Sequence, residues 1–356
     1  MYDAGVAWAI PQHARREVNA AGRCLVAGTG ASAMNHDAIL AIINNWRSSH
    51  SFPLQSFKMT LLSRAKRIDN KAIVAQRLKR LPSIDAKLQR FTWMKLSQMQ
   101  DIGGCRAIVR NTRRVARLVE LYKKARSKNP RKRHIFYKEN DYIKSPKDDG
   151  YRSFHLIYRY RSTARKHKVY NGLKIEIQLR SRLQHAWATA VETVQTFTGQ
   201  ALKSSGGERE WRRFFALMGS AIALRERCPH VPGTPTNMKE LVQELRELAG
   251  QLKVETVLHA WRISLQRLPA KNATDAAAFL LFLDPVAKTI RFDTFRKTEL
   301  PKASEEYLAL EKRTASIPGA QAVLVSVESL QSLRSAYPNY WLDTTVFIKA
   351  LQYAVK

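Results

Sequence analysis

The sequence predicts an α+β protein in which a mixed β-sheet is flanked by helices, and features of its central part predict this class. Residues 174–180 alternate polar with apolar side chains, the period of two that is typical of a strand with one polar face. Residues 107–109, Ala-Ile-Val, indicate a second strand. Before and after these strands, apolar residues recur at the spacing of amphipathic helices.

The other elements are predicted in chain order. Helical spacing predicts helices over 37–46, 54–67, 68–80 and 84–90, with Asp37 as the N-cap of the first and Pro82 separating the last two. The next part predicts a helix over 118–128, a short strand over 135–137 and helices over 183–198 and 211–225. The last third predicts one or two helices over 238–268, a hairpin of strands 279–283 and 289–295, a helix over 303–314, a strand over 322–327 and a helix over 344–353.

Composition divides the chain into four parts. Residues 1–33 contain a glycine-rich stretch that lacks the ending of a phosphate loop, and we expect a flexible extension there. Residues 34–227 hold both central strands and form the candidate catalytic domain. Residues 228–237 contain three prolines and predict a linker. Residues 238–356 predict a small α+β domain whose strands lack metal ligands.

Positive charge is concentrated in the first two thirds of the chain. The protein has 61 Lys and Arg against 29 Asp and Glu, a net charge of +32. Residues 238–356 hold 16 basic and 13 acidic residues, so that about +29 lies in residues 1–237. A nucleotide pair does not require this excess, which favours a polyanionic partner because binding a polyanion releases its counterions. A basic protein that binds nucleic acid only non-specifically is the alternative.

Other features disfavour several protein classes. The three cysteines are scattered, without the spacing of a disulfide framework or a zinc site, which is typical of a reducing cytoplasm. No apolar run approaches the length of a membrane span, so we expect a cytoplasmic protein without a membrane partner. His36-Asp37 is a lone dipeptide of the kind found in metal-dependent hydrolases, and too little chain precedes residue 77 for a hydrolase domain.

Polar side chains at the two central strands suit phosphate chemistry. Asp101 precedes one strand and Glu176 lies on the other, so the two carboxylates could share one Mg²⁺ while leaving positions for triphosphate oxygens and water. The cations that would balance the remaining phosphate charge are Arg106, Lys144 and Arg180. Residues 150–155 would present a ring, a cation and an imidazole to a second substrate. The alternative is an ordinary sheet with exposed polar residues.

Four segments resemble, in this order, the synthetase domain of the RelA/SpoT family: residues 77–90, 101–106, 141–155 and 174–180. The resemblance covers roughly residues 35–226 and implies a nucleotidyltransferase-like fold that transfers the β,γ-pyrophosphate of ATP to a ribose 3′-hydroxyl. By position it implies that Asp101 and Glu176 are the catalytic carboxylates that hold Mg²⁺. It implies ATP binding by Arg77, Lys79, Ser83, Lys87 and Arg106. It implies acceptor binding by Lys144, Tyr151, His155, Gln178 and Arg180, with Tyr151 stacked on the acceptor base.

One segment departs from the family pattern. Residues 138–141 are Lys-Glu-Asn-Asp, whereas bifunctional members have a basic Arg-x-Lys-Asp and long synthetase-only members an acidic Glu-x-Asp-Asp. This segment bears on how the metal and the acceptor phosphates are held. The resemblance therefore does not fix GDP or GTP as the acceptor.

Residues 158–161 alternate tyrosine with arginine on a predicted strand. One interpretation is an exposed edge strand. The other is the wall of a groove that follows a nucleic-acid backbone, with the tyrosine rings available for stacking on bases.

A short aromatic segment lies near the C-terminus. Residues 335–343 place Tyr337 and Tyr340 around a Pro-Asn turn, which would either close a core or insert into a partner pocket. The arrangement resembles the CapRel-type proteins, a fused toxin–antitoxin subgroup of the same family, in which a Tyr-x-x-Tyr turn of a C-terminal pseudo-zinc-finger domain blocks the nucleotide site. That resemblance implies pyrophosphorylation of the 3′ CCA end of tRNA, which halts translation, and a phage capsid protein that relieves the inhibition.

Three functions remain open on the sequence. The first is an ATP:tRNA pyrophosphotransferase toxin of anti-phage defence that its own C-terminal domain inhibits. The second is a (p)ppGpp synthetase of the stringent response with GDP or GTP as the acceptor. The third is an inactive nucleic-acid-binding module.

Overall fold

The computed structural model describes most of the chain, and all structural statements below concern the part that it describes. The described residues are 8–27, 35–128, 134–198, 208–258, 266–267, 276–284, 289–314, 317, 320–326 and 344–356. Tyr337 and Tyr340, with the turn predicted around them, lie outside these residues.

Runs of helices and runs of strands follow one another along the chain, which is typical of an α+β protein. The helices are α1 Arg15–Ala27, α2 His36–Ser48, α3 Ser51–Ile68, α4 Leu81–Arg90, α5 Thr112–Lys128, α6 Arg182–Thr198, α7 Glu208–Glu226, α8 Met238–Gln251, α9 Leu300–Thr314 and α10 Thr345–Ala354. The strands are β1 Ile73–Leu78, β2 Gly103–Val109, β3 Ile135–Asp141, β4 Phe154–Arg159, β5 Lys174–Ser181, β6 Gln266–Arg267, β7 Ala278–Asp284, β8 Thr289–Phe295 and β9 Gln321–Ser326.

Within the described residues, nine strands form one sheet in the order β3-β4-β5-β2-β1-β9-β7-β8-β6. β2 pairs with β5 in parallel and β6 with β8 in parallel, and the remaining neighbours are antiparallel. The sheet is therefore mixed, which confirms the predicted α+β class. The predicted hairpin is also confirmed, because β7 and β8 pair along their whole length.

The apolar side of the central strands faces the first helices. Ile175, Ile177 and Leu179 of β5 have no exposed surface and belong to one cluster with apolar residues of α2, α3 and α5. Their burial, in alternation with polar neighbours, makes the register of β5 specific, because a slip of one residue would turn the polar side chains into the core. The opposite side of these strands is left for polar residues.

The structure corrects the prediction of a helix over residues 68–80. Residues 73–78 form strand β1, which pairs with β2 over its whole length and with β9 through Gln76 and Arg77. The segment starts with the β-branched residues Ile73 and Val74, which pack well on a pleated surface. Long-range pairing on both edges outweighs the local helical spacing. The preceding helix α3 runs from Ser51 to Ile68.

The N-terminal segment is also more ordered than the sequence predicts. Residues 8–27 include helix α1, and Val18 and Ala21 of this helix are fully buried in the main core. A flexible extension is therefore wrong for this part of residues 1–33. The next helix begins at His36, and its N-cap is Asn35, whose side chain accepts a hydrogen bond from the backbone nitrogen of Asp37. Asp37, the predicted cap, lies in the first turn.

Residues 238–356 contact the rest of the described chain through both strands and helices. β9 pairs with β1, which makes the sheet continuous. Helices α8 and α10 share an apolar cluster with α6 and α7, in which Leu245 and Phe347 are fully buried. The proline-rich segment before α8 is packed, since the backbone of Val231 donates a hydrogen bond to Ser220 Oγ over 2.9 Å. The predicted linker thus lies against α7.

In the described part of the chain, no helix combines the length and the apolar character that crossing a bilayer would demand.

Candidate active site

One side of the sheet, here called the polar face, collects the hydrophilic residues of the central strands. Glu176, Gln178 and Arg180 occupy alternate positions of β5, as predicted. Directly opposite residues of neighbouring strands point to the same side. By register the polar face comprises Arg77 of β1, Gly104 and Arg106 of β2, His155 of β4, and Glu176, Gln178 and Arg180 of β5.

Asp101 lies at the start of β2 and is held by two lysines. Lys79 Nζ is 2.8 Å from one carboxylate oxygen and Lys87 Nζ is 2.9 Å from the other. Lys79 directly follows β1, and its backbone nitrogen donates to the carbonyl of Ile102 over 2.8 Å. Lys87 comes from α4. The segment before β2, the end of β1 and α4 therefore place these three side chains together.

The lysines keep Asp101 charged. Burial acts to raise the pKa of Asp101, but the charges of Lys79 and Lys87 and their hydrogen bonds outweigh it and lower the pKa to about 2. At neutral pH the carboxylate is fully ionised. It is a ready ligand for a cation or for the lysines that now hold it.

Open space lies on the polar face between the strands that carry these groups. Gly104 lies between Arg77 on one side and Glu176 on the other. A Cβ atom built on Gly104 would meet no atom of the described residues within 4 Å. Arg106 lies two residues further along the same face and is almost buried. The face is thus accessible above Gly104, where phosphate oxygens could lie between cations.

Five side chains of the polar face and its neighbouring loop form a closed ring of hydrogen bonds. Arg180 Nη2 donates one hydrogen bond to the Tyr151 hydroxyl over 2.8 Å and another to Gln178 Oε1 over 3.2 Å. Tyr151 Oη and His155 Nε2 are 2.8 Å apart, and His155 Nδ1 is 2.9 Å from Glu176 Oε1. Gln178 Nε2 donates to Glu176 Oε2 over 2.7 Å. Two relays thus run from the Arg180 guanidinium to the Glu176 carboxylate.

The ring fixes the proton positions of its members. A carboxylate only accepts hydrogen bonds, so His155 Nδ1 donates to Glu176. When the imidazole of His155 is neutral, its Nε2 accepts a hydrogen bond from the Tyr151 hydroxyl. Burial acts to raise the pKa of Glu176, yet the positive charge that His155 carries when protonated, together with its hydrogen bond, lowers this pKa below its usual value. The negative charge of Asp101 opposes this lowering, which places the two carboxylates within electrostatic reach of each other.

Arg180 has N–H groups that no described residue accepts. Its side chain is almost buried, and within the described residues its Nε and Nη1 atoms have no hydrogen-bond partner. A buried guanidinium with unmet donors is unfavourable unless a ligand satisfies them. Because the same guanidinium lies 5.3 Å from the centre of the Tyr151 ring, an anionic group next to a ring-shaped ligand would suit this end of the site.

The loop before β4 is pressed against α7. Gly150 has φ of +94°, and a Cβ there would lie 2.7 Å from the carbonyl oxygen of Phe215. The indole of Trp187 donates to the same carbonyl over 2.9 Å. Only glycine fits this close approach with this backbone conformation. The contact fixes Tyr151, the next residue, on the polar face.

Two residues of this loop were not singled out from the sequence. The Tyr142 ring lies edge-on to His155 with ring centres 5.2 Å apart, and Lys147 Nζ lies 5.1 Å from the centre of the Tyr151 ring. Both fall inside the segment 141–155, whose resemblance to the family was the only signal for them. Together they border the side of the site that holds Tyr151.

Three expected residues lie at the margin of this arrangement or away from it. Ser83 is in the first turn of α4. The Lys144 side chain is exposed, and its backbone nitrogen donates to Asp141 Oδ1 over 2.9 Å in a turn. Arg152, proposed as a cation for a second substrate, is buried and donates to the carbonyls of Ile143 and Pro229 instead.

A second buried cluster connects the ATP-side elements to α9. Arg47 of α2 is completely buried, donates to the carbonyl of Lys79 over 3.0 Å, and pairs with Glu311 over 2.8 Å. Glu311 also accepts from the backbone nitrogen of Leu81, the first residue of α4, over 2.8 Å. The Tyr307 hydroxyl accepts from Arg47 over 2.7 Å. The C-terminal part thereby contacts Leu81 directly and Lys79 through Arg47.

The donor set of the site fits Mg²⁺ bound together with a substrate. No group of three or more His, Cys, Asp or Glu side chains that could hold a metal occurs among the described residues. Mg²⁺ is commonly bound by one or two carboxylates together with substrate phosphates and water. Asp101 and Glu176 could supply the protein ligands.

Part of the chain matches a known protein family. Residues 76–197 match the family described as the region found in RelA / SpoT proteins. No curated protein sequence matches the chain.

Several solved structures are similar to the chain. Small alarmone synthetase 1 from Bacillus subtilis is 21% identical, with 57% of this chain and 94% of that chain covered and a TM-score of 0.39. Its complex with the product pppGpp is 19% identical over 54% of this chain and 94% of that chain, with a TM-score of 0.41. A GTP pyrophosphokinase family protein from Streptococcus pneumoniae is 22% identical over 54% of this chain and 92% of that chain, with a TM-score of 0.40.

The family match includes β1, β2, β4, β5 and α6, and so all the strands that carry the polar face. Residues 76–197 are therefore a RelA/SpoT synthetase domain, a pyrophosphotransferase that uses ATP.

Proposed function

We propose that the protein transfers the β,γ-pyrophosphate of ATP to the 3′-hydroxyl at the CCA end of tRNA and thereby blocks translation. In the reaction, the 3′-oxygen attacks the β-phosphorus, and the bond from that phosphorus to the α,β-bridging oxygen breaks. AMP leaves with the electron pair, and the hydroxyl proton is released. The chain's contribution is to align the two substrates and to balance the charge on the triphosphate.

The observation that carries the chemistry is the bracketing of Asp101 by Lys79 and Lys87 next to Glu176. On the donor side, both lysines can leave the carboxylate for triphosphate oxygens, because their charges sit on flexible side chains. Arg77 and Arg106 lie on the same face, where Arg77 can stack its planar group on adenine. Asp101 and Glu176 would hold Mg²⁺, which would supply positive charge against the charge that develops on the triphosphate.

On the acceptor side, the ring of hydrogen bonds can hold a terminal nucleoside. Tyr151 offers a ring for the base, and His155 lies next to it. The free donors of Arg180 would meet an anionic group of either substrate. Because Gln178 and His155 each hold one oxygen of Glu176, that carboxylate keeps its orientation while the acceptor enters. In this proposal Lys144 reaches the acceptor from the exposed loop.

The choice of tRNA is supported by charge. About +29 of the net charge lies in residues 1–237, which include the whole synthetase domain. A guanine nucleotide would leave most of these cations without a ligand, whereas an RNA stem outside the pocket would cover them. A (p)ppGpp synthetase that uses GDP or GTP is the second candidate, because guanine could stack on Tyr151 as the terminal adenine of tRNA could.

We further propose that residues 238–356 act as a tethered inhibitor in an anti-phage toxin–antitoxin protein, with a phage protein as the trigger. Support comes from α9, where Tyr307 and Glu311 hold Arg47, which contacts Lys79, and Glu311 also holds the start of α4. Tyr337 and Tyr340 are the residues proposed to block the nucleotide site. They lie outside the described residues, so that this role stays a prediction.

One experiment separates the candidate acceptors. The full-length protein is incubated with ATP labelled at the γ-phosphate and with either deacylated tRNA or GDP, and the products are resolved by electrophoresis and thin-layer chromatography. Label on tRNA is expected, and periodate oxidation of the tRNA 3′-terminal ribose before the reaction should abolish it. Label on GDP alone would replace this proposal by the alarmone synthetase, and label on neither would favour the inactive binding module. Tyr340→Ala is expected to raise tRNA labelling by the full chain.

A further inference from the structure

An exposed tyrosine lies beyond the candidate active site at the edge of the sheet. Tyr137 lies in β3 between Phe136 and Lys138, which pair with consecutive residues of β4. It is therefore the extra residue of a β-bulge, a feature that redirects a side chain. Tyr137 is 39% exposed, whereas Tyr158 of the neighbouring strand β4 is buried.

Cations surround this ring. The guanidinium carbon of Arg159 lies 4.5 Å from the ring centre and Lys174 Nζ lies 4.8 Å from it. Arg159 and Lys174 are paired neighbours on β4 and β5. The pKa of Lys174 is lowered by burial and then by the charges of Arg159 and Arg15, so Arg15 of α1 is a third nearby cation. We call Tyr137, Arg159, Lys174 and Arg15 the Tyr137 platform.

The positive charge of the Tyr137 platform is not neutralised locally. Among the described residues, no carboxylate forms a salt bridge with Arg15, Arg159 or Lys174. Lys174 donates to the carbonyl of Gln98 over 2.9 Å, a contact that positions it without removing its charge. Three clustered cations without an acid partner favour an anionic ligand.

The platform continues the polar face. Lys174 and Glu176 are alternate residues of β5 on the same side, about 7 Å apart along the strand. From Lys174 the face runs through Glu176 and Gln178 to Arg180. An acceptor held at Tyr151 therefore has a second ring and a set of cations on the same face of the sheet, where Arg159 lies four residues along β4 from His155.

We propose that the Tyr137 platform binds the nucleotide that precedes the acceptor nucleotide at a single-stranded RNA 3′ end. The base stacks on the Arg159–Tyr137 pair, and the phosphate that links the two nucleotides lies against Lys174 and Arg15. Stacking on aromatic rings and on guanidinium planes is the usual way in which proteins hold unpaired bases. The inference rests on the proposed function, since a lone GDP or GTP has no preceding nucleotide.

Binding of the full-length protein to RNA tests the platform without catalysis. The probe is a fluorescein-labelled single-stranded RNA of seven nucleotides ending in CCA with a free 3′-hydroxyl, and the readout is anisotropy without ATP. Tyr137→Ala is expected to weaken binding about 10-fold or more, from the stacking energy of one base. Tyr137→Phe keeps the ring and is expected to bind like the wild type. Arg159→Lys keeps the charge but loses the plane, and should weaken binding with an unchanged salt dependence.

A matched control is available at the far end of the molecule. Tyr353 is also exposed and also lies under a guanidinium, that of Arg225 at 4.7 Å. Tyr353→Ala is expected to leave RNA binding unchanged. If Tyr353→Ala weakens binding as much as Tyr137→Ala, exposed aromatic residues act non-specifically and the platform is disproved.

Transfer assays on the same variants separate this inference from the proposed function. With a tRNA acceptor, Tyr137→Ala should raise the KM for tRNA about 10-fold with an unchanged KM for ATP. If the wild type labels tRNA and Tyr137→Ala has the same RNA affinity and KM, the platform is wrong while the proposed function stands. If the wild type neither binds the RNA nor labels tRNA, both fail.

Discussion

Asp101 and Glu176 are the two carboxylates of the candidate site, and their surroundings differ. Asp101 is held by the salt bridges to Lys79 and Lys87, whose side chains are 19% and 27% exposed. Glu176 accepts hydrogen bonds from His155 and Gln178, inside a ring that Arg180 closes. The first arrangement depends on mobile charges, whereas the second depends on directional bonds among packed side chains.

The donor side of the site, at Asp101, can therefore exchange ionic partners, whereas the acceptor side, at Glu176, already has a fixed arrangement of side chains. A lysine that leaves Asp101 for a phosphate keeps an ionic partner, so this end can exchange partners when a nucleotide enters. The ring around Glu176 would lose several directional bonds if one member moved. We infer that the donor side reorganises when ATP binds and that the acceptor side keeps its geometry. The following experiments test this contrast.

The largest effect is expected from Asp101→Asn. Loss of the charge should lower the rate of pyrophosphate transfer about 100-fold or more, because stabilisation of the transferring group depends on it. The measurement is single-turnover transfer from labelled ATP. Asp69→Asn is the control, since Asp69 is a buried carboxylate that accepts from the backbone of Arg110 over 2.9 Å. It should lower stability and leave the rate unchanged. A rate for Asp101→Asn above a tenth of the wild type would contradict the assignment.

A smaller effect, restricted to the acceptor side, is expected from Gly150→Ala. The added Cβ meets the Phe215 carbonyl at 2.7 Å and the backbone has φ of +94°, so Tyr151 must shift. We expect the KM for the acceptor to rise about 10-fold, the KM for ATP to stay constant, and stability to fall by about 1–3 kcal/mol. Gly233→Ala is the matched control, because Gly233 also has positive φ but open space around it. If both variants raised the KM for the acceptor equally, the inference that the acceptor side keeps its geometry would be wrong.

The smallest effect concerns pH and salt. The pKa of Asp101 is about 2 in the folded protein, below its value in the unfolded chain, so its contribution to stability is complete above pH 4 and is lost as the pH falls toward 2. The difference in unfolding free energy between wild type and Asp101→Asn should therefore shrink from pH 5 to pH 2. It should also shrink in 1 M NaCl, which screens partly exposed charges. The difference for Glu176→Gln should resist salt, and urea titrations at each condition measure both.

The candidate site was more predictable than the elements around it. The alternation in residues 174–180 predicted the strand and its polar side, since a pattern of period two is local. The helix predicted over 68–80 was wrong because β1 is specified by β2 and β9, and β9 lies some 250 residues away. Pairing over such a distance leaves no periodic signal in the segment itself. The resemblance to the family gave no secondary structure for this segment.

The direction in which a side chain points was the other feature that the sequence did not predict. Residues 158–161 predicted either an edge strand or rings available for stacking, but Tyr158 and Tyr160 are buried in the main core. The exposed ring belongs to Tyr137, which a bulge turns outward. A bulge shifts the alternation by one residue, so that period-two analysis assigns the wrong side after it.

The pairing of β1 with β9 has a consequence for deletion experiments. Shortening the protein to residue 237 would remove β9 and leave β1 as the border of the remaining sheet, with unpaired N–H and C=O groups open to self-association. It would also strip Glu311 from the buried Arg47. A shortened protein that precipitates, or that harms its host by aggregating, would therefore say nothing about inhibition, and point substitutions in the intact chain are the sounder route.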